Sequence, residues 1–289
     1  MTPQPSDELG AHVSAEGGLD RAPARAAALD AAVLQLFTKS PSRWAEPQLD
    51  PSSVEAFRAE RAAHGITTAV SHDSYLINLS SPDLRLWRTS QRCFAGELAR
   101  AEALGLDGVV THPGNATDGD LPAGIERNAR GIADSLAELP GARAMVLLEL
   151  TAGSGTSVGA SFENLRAILD AIPPEQRDRV GVCFDTCHGY SAGYDLVADY
   201  DGVWADFDRV LGLERLRLIH MNDSKHPFGS RKDRHEAIGA GTLGFEPFRR
   251  IMRDPRLRQV PKILETPKGD DEVSADRANL ALLRGLRVG

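Results

Sequence analysis

Residues 145–149 read Met145-Val146-Leu147-Leu148-Glu149, four apolar side chains closed by a carboxylate. A short, continuously apolar run predicts a strand buried on both faces, as in a parallel sheet. A carboxylate at its end is costly to bury unless something pairs with it. Similar runs occur at 9–14, 33–38, 67–72, 108–112, 181–185, 217–220 and 262–265, and five of them close on His72, His112, Asp185, His220 and Glu265. Helix-like stretches at 19–32, 54–64, 84–104, 125–139, 162–172 and 245–252 fall between the strands, and 275–286 follows the last one. Gly65, Gly105 and Gly141 stand where a helix ends before the next strand, the usual place for a C-terminal glycine.

Strands alternating with helices imply a parallel sheet. Eight strand candidates predict an α/β fold, a single (β/α)8 TIM barrel over residues 9–289, with a tail at 1–8 and a metal site at the C-terminal mouth of the strands. An open doubly wound sheet is written in the same alternation, but it concentrates its site at one switch point. Here polar residues are spread over many strand ends, and the glycines at 17–18 and 153–159 lack dinucleotide-binding spacing.

Hydrophobic residues make up 42% and charged residues 26%, as in a soluble globular protein. The Pro-rich, acidic start has neither a basic segment nor an apolar core for a signal peptide, and no apolar run is long enough for a membrane span, so a cytoplasmic protein is expected. Cys93, Cys183 and Cys187 are too few for a disulfide framework and read as reduced packing residues. A net charge of −8 argues against a general basic nucleic-acid binder.

Asp185 and His188 stand three apart in Asp185-Thr186-Cys187-His188, where the strand is expected to turn into a loop. After His220 a long loop brings Asp233 and His235, a weak pair when taken alone. The full set, His72, His112, Glu149, Asp185, His188, His220, Asp233, His235 and Glu265, contains five imidazoles and four carboxylates. That is too many for one ion, since zinc takes about four ligands. Three ions with a bridging carboxylate would make the site about +2 and bring the chain from −8 to about −2. Such a pocket suits phosphoester hydrolysis. Lys39, Arg43, Lys225, Arg231, Lys232, Arg234 and Lys268 fall after strands and are expected on its rim; any one alone reads as solvated surface charge.

Gly10-Ala11-His12-Val13-Ser14, His72-Asp73-Ser74-Tyr75-Leu76-Ile77-Asn78-Leu79, His112-Pro113-Gly114, Asp185-Thr186-Cys187-His188, Phe228-Gly229-Ser230-Arg231 with Asp233-Arg234-His235, and Leu264-Glu265-Thr266 resemble the signatures of the endonuclease IV family, over nearly the whole chain. The resemblance implies a (β/α)8 barrel with three Zn2+, one replaceable by Mn2+, acting on damaged duplex DNA; a monomer is expected. Incision 5′ to an abasic site would leave a 3′-hydroxyl and a 5′-deoxyribose phosphate. It implies that His72, His112 and Glu149 hold one ion, Glu149, Asp185, His220 and Glu265 its neighbour, and His188, Asp233 and His235 the third. Glu149 and Glu265 would then be the catalytic carboxylates, with Glu149 bridging beside the nucleophile. Tyr75 and Leu76 match side chains inserted into the duplex, and His12 and Arg231 are expected to contact DNA. Where relatives carry an arginine wedge this chain has Ser42, so either Arg43 takes over the wedging from one position later or the duplex is held open less firmly. The rival readings are a metal-dependent sugar isomerase of a related barrel, which usually needs fewer metals, and an inert DNA-damage binding protein.

Overall fold

The computed structural model describes residues 8–269, 271 and 273–288. Eight parallel strands close a barrel: β1 (Leu9–His12), β2 (Val33–Phe37), β3 (Thr68–His72), β4 (Gly108–Thr111), β5 (Met145–Glu149), β6 (Val180–Asp185), β7 (Leu216–His220) and, after a hairpin of two short strands, β8 (Asp223–Ser224) and β9 (His235–Glu236), β10 (Lys262–Leu264). β1 pairs with both β2 and β10, which closes the ring. At that seam a side chain on Gly10 would overlap the Val33 carbonyl oxygen, so the close approach of β1 to β2 needs glycine. Residues 1–7 of the tail expected at 1–8 lie outside the described residues, while the carbonyl of Glu8, its last residue, accepts from Lys262 N at 2.7 Å.

The helices are α1 (Arg21–Ala27), α2 (Pro51–Ala63), α3 (Leu84–Leu104), α4 (Leu121–Ala137), α5 (Phe162–Ala171), α6 (Thr186–Ala192), α7 (Tyr200–Val210), α8 (Glu246–Arg253) and α9 (Ser274–Val288). Their starts are set by side-chain caps: Asp50, Asp83, Asp120 and Ser161 each accept from a backbone N–H of the first turn. α2 and α4 therefore begin three or four residues before their expected starts, at an Asp-x-Pro in α4 and an Asp-Pro in α2. α3 ends on Gly105 at φ 71°, a left-handed conformation that glycine adopts without strain. Two helices, α6 and α7, had no counterpart in the sequence reading. α7 buries Val203, Trp204 and Phe207, and Trp204 lies 5.0 Å from the Phe184 ring of β6.

The interior of the barrel explains the strand-end pattern. Val33, Val70, Val110, Leu147, Cys183, Leu218 and Ile263 form one closed apolar layer inside the ring. Side chains alternate along a strand with a period of two, so the residues two further on face the same interior one step nearer the mouth. Those residues are Gln35, His72, His112, Glu149, Asp185, His220 and Glu265. The intervening residues, such as Leu34, Leu36, Val146 and Leu148, belong to the larger core that also holds Phe57, Leu98 and Leu165 of the helices. An apolar plug thus forms the floor, and a polar layer lies directly on it.

Candidate metal centre

The polar layer supplies two groups of donors, and the elements after β6 and β7 supply a third. His72, His112 and Glu149 form one group; Glu149, Asp185, His220 and Glu265 form the next; His188, Asp233 and His235 form a third, which overlaps a further grouping of Asp185 and His235 with buried Cys187. Within each group the ligand atoms lie within 4.8 Å of one another. Glu149 joins two groups, with Oε2 3.1 Å from His112 Nε2 and 3.2 Å from His72 Nε2, and Oε1 3.1 Å from His220 Nδ1. Two donors at about 2.1 Å from one tetrahedral ion would stand about 3.4 Å apart, which is close to the spacing found here.

The third group depends on a loop that is built onto a helix. Asp185 ends β6 and its carboxylate accepts from His188 N at 2.8 Å, so the segment after β6 is the first turn of α6 rather than the expected loop. That turn lifts His188 beside Glu149, with His188 Nδ1 3.1 Å from Glu149 Oε1. The 225–235 segment then folds back on α6: Gly229 N and Arg231 N donate to the Tyr190 and Ser191 carbonyls, and Ser191 Oγ donates to Lys232 O. The β8–β9 hairpin fixes its end by pairing Ser224 with His235. Buried Asp223 holds the turn beyond, accepting from Ser224 N, Gly239 N, Gly241 N and Leu243 N at 2.7–3.0 Å.

Ring orientation gives a direct test of whether these residues fit cations. A backbone carbonyl can only accept, so each imidazole nitrogen bonded to one carries the proton. His72 Nδ1 donates to Asp73 O, His188 Nδ1 to Leu150 O and His235 Nδ1 to Glu265 O, at 3.0–3.1 Å. His220 Nε2 lies 2.8 Å from the Gln35 amide oxygen, which again only accepts. In the neutral ring the opposite nitrogen is then a bare lone pair, and in all four it faces a carboxylate oxygen at 3.1–3.6 Å. Lone pair against carboxylate is repulsive unless a proton or a cation lies between. His188 Nε2 and His235 Nε2 are moreover buried with no hydrogen-bond partner. The set fits metal ions on both counts.

Protons compete with cations for the same positions. Burial by itself lowers His72, but its bond to Glu149 and the charges of Glu149, Asp73 and Glu265 raise it to about 9. His188 and His220 are also raised well above the ordinary value, against their burial, by Asp185 and Glu149 for the first and by Cys183, Glu265 and Glu149 for the second. Burial raises Glu149 and Glu265, yet the neighbouring imidazoles hold both well below the carboxylate range. Asp233, opposed in the same way by burial, is drawn down to about 2 by His188, His235 and His112. Asp73 goes the other way: burial pushes it to about 8, with the Thr111 hydroxyl bonded to it at 2.6 Å.

Above the layer lies a cavity of about 370 Å³ lined by His12, Phe37, His72, Tyr75, His112, His188, Asp233, His235, Glu265 and Lys268. It adjoins a larger one of about 880 Å³ between the loops after β1 and β2, which includes His12, Phe37, Lys39, Arg43 and Lys268. Tyr75 is 70% exposed at the rim and Leu76 is half-buried beside it. Exposed Arg43 sits on a loop joined to theirs, because Pro41 O accepts from Tyr75 N at 3.0 Å and Ser74 Oγ at 2.6 Å. Arg231 is exposed on the opposite loop at φ 55°. His12 stands over Phe37 with ring centroids 4.4 Å apart.

The expected rim needs one correction. Lys39 does not face solvent: its side chain is 3% exposed and bonds Glu46 at 2.6 Å and Cys93 at 3.0 Å. Glu46 also pairs with Arg100, which is itself paired with buried Glu97 at 2.9 Å, and this makes Lys39 a structural anchor of the Arg43 loop. Lys268 lines the cavity but is tied to Asp276 at 2.6 Å and to His12 O at 2.9 Å. Gln35, Asp73 and Asn222 were missed by the sequence reading. Asn222 Nδ2 donates to Asp185 at 2.6 Å, and its oxygen accepts from Glu265 N at 2.8 Å. A signal for Gln35 was present, since a lone amide interrupts Val33-Leu34-Gln35-Leu36-Phe37 at the inward register.

Residues 23–286 match the family model described as xylose isomerase-like TIM barrel. A Trichlorobacter lovleyi protein named probable endonuclease 4 is 47% identical over 283 residues, covering 97% of this chain and 100% of that protein. Another of that name from Chloroflexus aggregans is 44% identical, covering 96% and 97%. The crystal structure of endonuclease IV from Thermus thermophilus matches with a TM-score of 0.85 at 40% identity, covering 96% of this chain and 98% of that one. A D-tagatose 3-epimerase-like protein, with a TM-score of 0.69 at 16% identity, shares the fold.

Proposed function

This chain belongs to the endonuclease IV family, and from that premise we propose that it hydrolyses the phosphodiester 5′ to abasic sites in duplex DNA, leaving a 3′-hydroxyl and a 5′-deoxyribose phosphate, and trims blocked 3′ ends. The observation that carries this reading is the three donor groups, two of them joined through Glu149, that open into one cavity. His72, His112 and Glu149 would hold one Zn2+, Glu149, Asp185, His220 and Glu265 the second, and His188, Asp233 and His235 a third, which Mn2+ can replace. The ions would supply a water acidified towards neutrality and positive charge for the phosphate and the leaving oxygen.

The chain's own residues account for the rest. Glu149 and Glu265 stay ionised at neutral pH because the imidazoles hold their carboxyls low. Glu149, buried and fixed by several rings, orients the reacting centre. His12 and Arg43 line the mouth and Arg231 is exposed on the loop after β7, where they can meet phosphate oxygens, and Tyr75 and Leu76 can wedge into the duplex at the lesion. An isomerase of this fold has no evident use for the His188–Asp233–His235 group, which favours the nuclease. Among the described residues no helix is long and apolar enough to cross a membrane; we place the protein in the cytoplasm, acting as a monomer. The test is a zinc-loaded incubation with a duplex carrying one abasic site, the undamaged duplex, and ketose sugars. Incision confined to the abasic strand, with a 3′-hydroxyl end, supports the reading. Sugar interconversion, or binding without incision, overturns it.

A further inference from the structure

Gln35 is fully buried in the polar layer, and the use of its three polar sites dictates the state of three neighbours. Its amide nitrogen lies 2.5 Å from Glu265 Oε1 and 2.9 Å from His12 Nδ1, and its amide oxygen lies 2.8 Å from His220 Nε2. The reverse amide orientation would set its oxygen against the Glu265 carboxylate, so only the observed one satisfies every partner.

We propose that Gln35 is a positioning residue that links DNA contact to the metal pair: it assigns the proton of His12, the tautomer of His220 and the coordinating oxygen of Glu265. An amide nitrogen only donates, so His12 Nδ1 must accept and the neutral His12 ring carries its proton on Nε2, as a donor for a phosphate oxygen. His220 must carry its proton on Nε2, which leaves Nδ1 bare 3.1 Å from both Glu149 Oε1 and Glu265 Oε2. Glu265 Oε1 is occupied by the amide, so Oε2 is the oxygen presented to an ion. One side chain thus sets a substrate donor and two ligand atoms. The DNA half of this inference rests on the proposed function; the ligand half does not.

The experiment is nitrogen-detected histidine NMR on the zinc-loaded chain, with zinc release to a chelator followed in parallel for wild type, Gln35→Leu and Gln35→Glu. In wild type His12 carries its proton on Nε2. Gln35→Glu, which can only accept, moves that proton to Nδ1. Gln35→Leu releases one zinc about 10–100-fold faster with the others unchanged, and raises KM for the abasic duplex more than it lowers kcat. A wild-type His12 proton on Nδ1 overturns the assignment without any substitution, which covers the case of a variant that fails to fold. Wild-type zinc release from a folded Gln35→Leu also overturns it. Failure to incise DNA with the tautomers as assigned would instead overturn the nuclease reading.

Discussion

The strand-borne and loop-borne halves of the centre are built in different ways. His72, His112, Glu149, Asp185, His220 and Glu265 stand in or just past barrel strands, one register step above a closed apolar layer, and strand pairing fixes their positions. His188, Asp233 and His235 are placed by a helix turn and by a loop hung on that helix, held by backbone hydrogen bonds and by Asp223. The first half inherits its geometry from the fold. The second half is an addition that could be loosened while the barrel remains intact.

Substitutions should break this contrast in a graded way. Glu149→Gln, at the junction of two groups, should lower the incision rate about 10³-fold or more, roughly 4 kcal/mol, with little change in the circular dichroism spectrum; near-wild-type single-turnover rates would show that Glu149 joins nothing. Asp223→Ala leaves four backbone N–H groups without their carboxylate and should cost about 3 kcal/mol, a fall in Tm of roughly 6–10 °C. Calorimetry reads the loss, and an unchanged Tm would mean the loop is held elsewhere. Asp233→Asn removes a charged donor from the loop half alone, so about a hundredfold weaker retention of a single ion is expected by equilibrium dialysis. Simultaneous loss of all the ions would deny that the halves are separable. Arg43→Ala lies outside both halves: abasic-duplex affinity should weaken by about 1 kcal/mol with metal content unchanged, and equal affinity by fluorescence anisotropy would exclude Arg43 as the wedge.

The same division decides what the sequence could reveal. Strand-borne donors were legible because a period of two in an apolar run leaves a polar residue conspicuous, and costly, at the end. Gln35 obeys that pattern but stands inside its strand, so an expectation built on strand ends passed over it. Asp185-Thr186-Cys187-His188 suggested a loop because the capping role of Asp185, which starts α6, is indistinguishable in sequence from a ligand role; the residue holds the helix and faces the site at once. Asp233 and His235 carried no periodic signal; an Asp-x-His in a loop is weak alone, and the pair gained weight only within the full donor set and the family resemblance. Lys39 illustrates the opposite failure. Its position after β2 suggested the rim, but Glu46 and Cys93, the first seven residues on and the second in α3, draw it inward. Long-range partners of that kind leave no local trace.

The claim that strand-borne and loop-borne donors together make one polynuclear site is tested most directly by counting metal ions per chain, by elemental analysis of zinc-loaded protein after exhaustive dialysis. Three ions per chain are predicted, falling to two in Asp233→Asn. A single ion in the wild type would contradict the account.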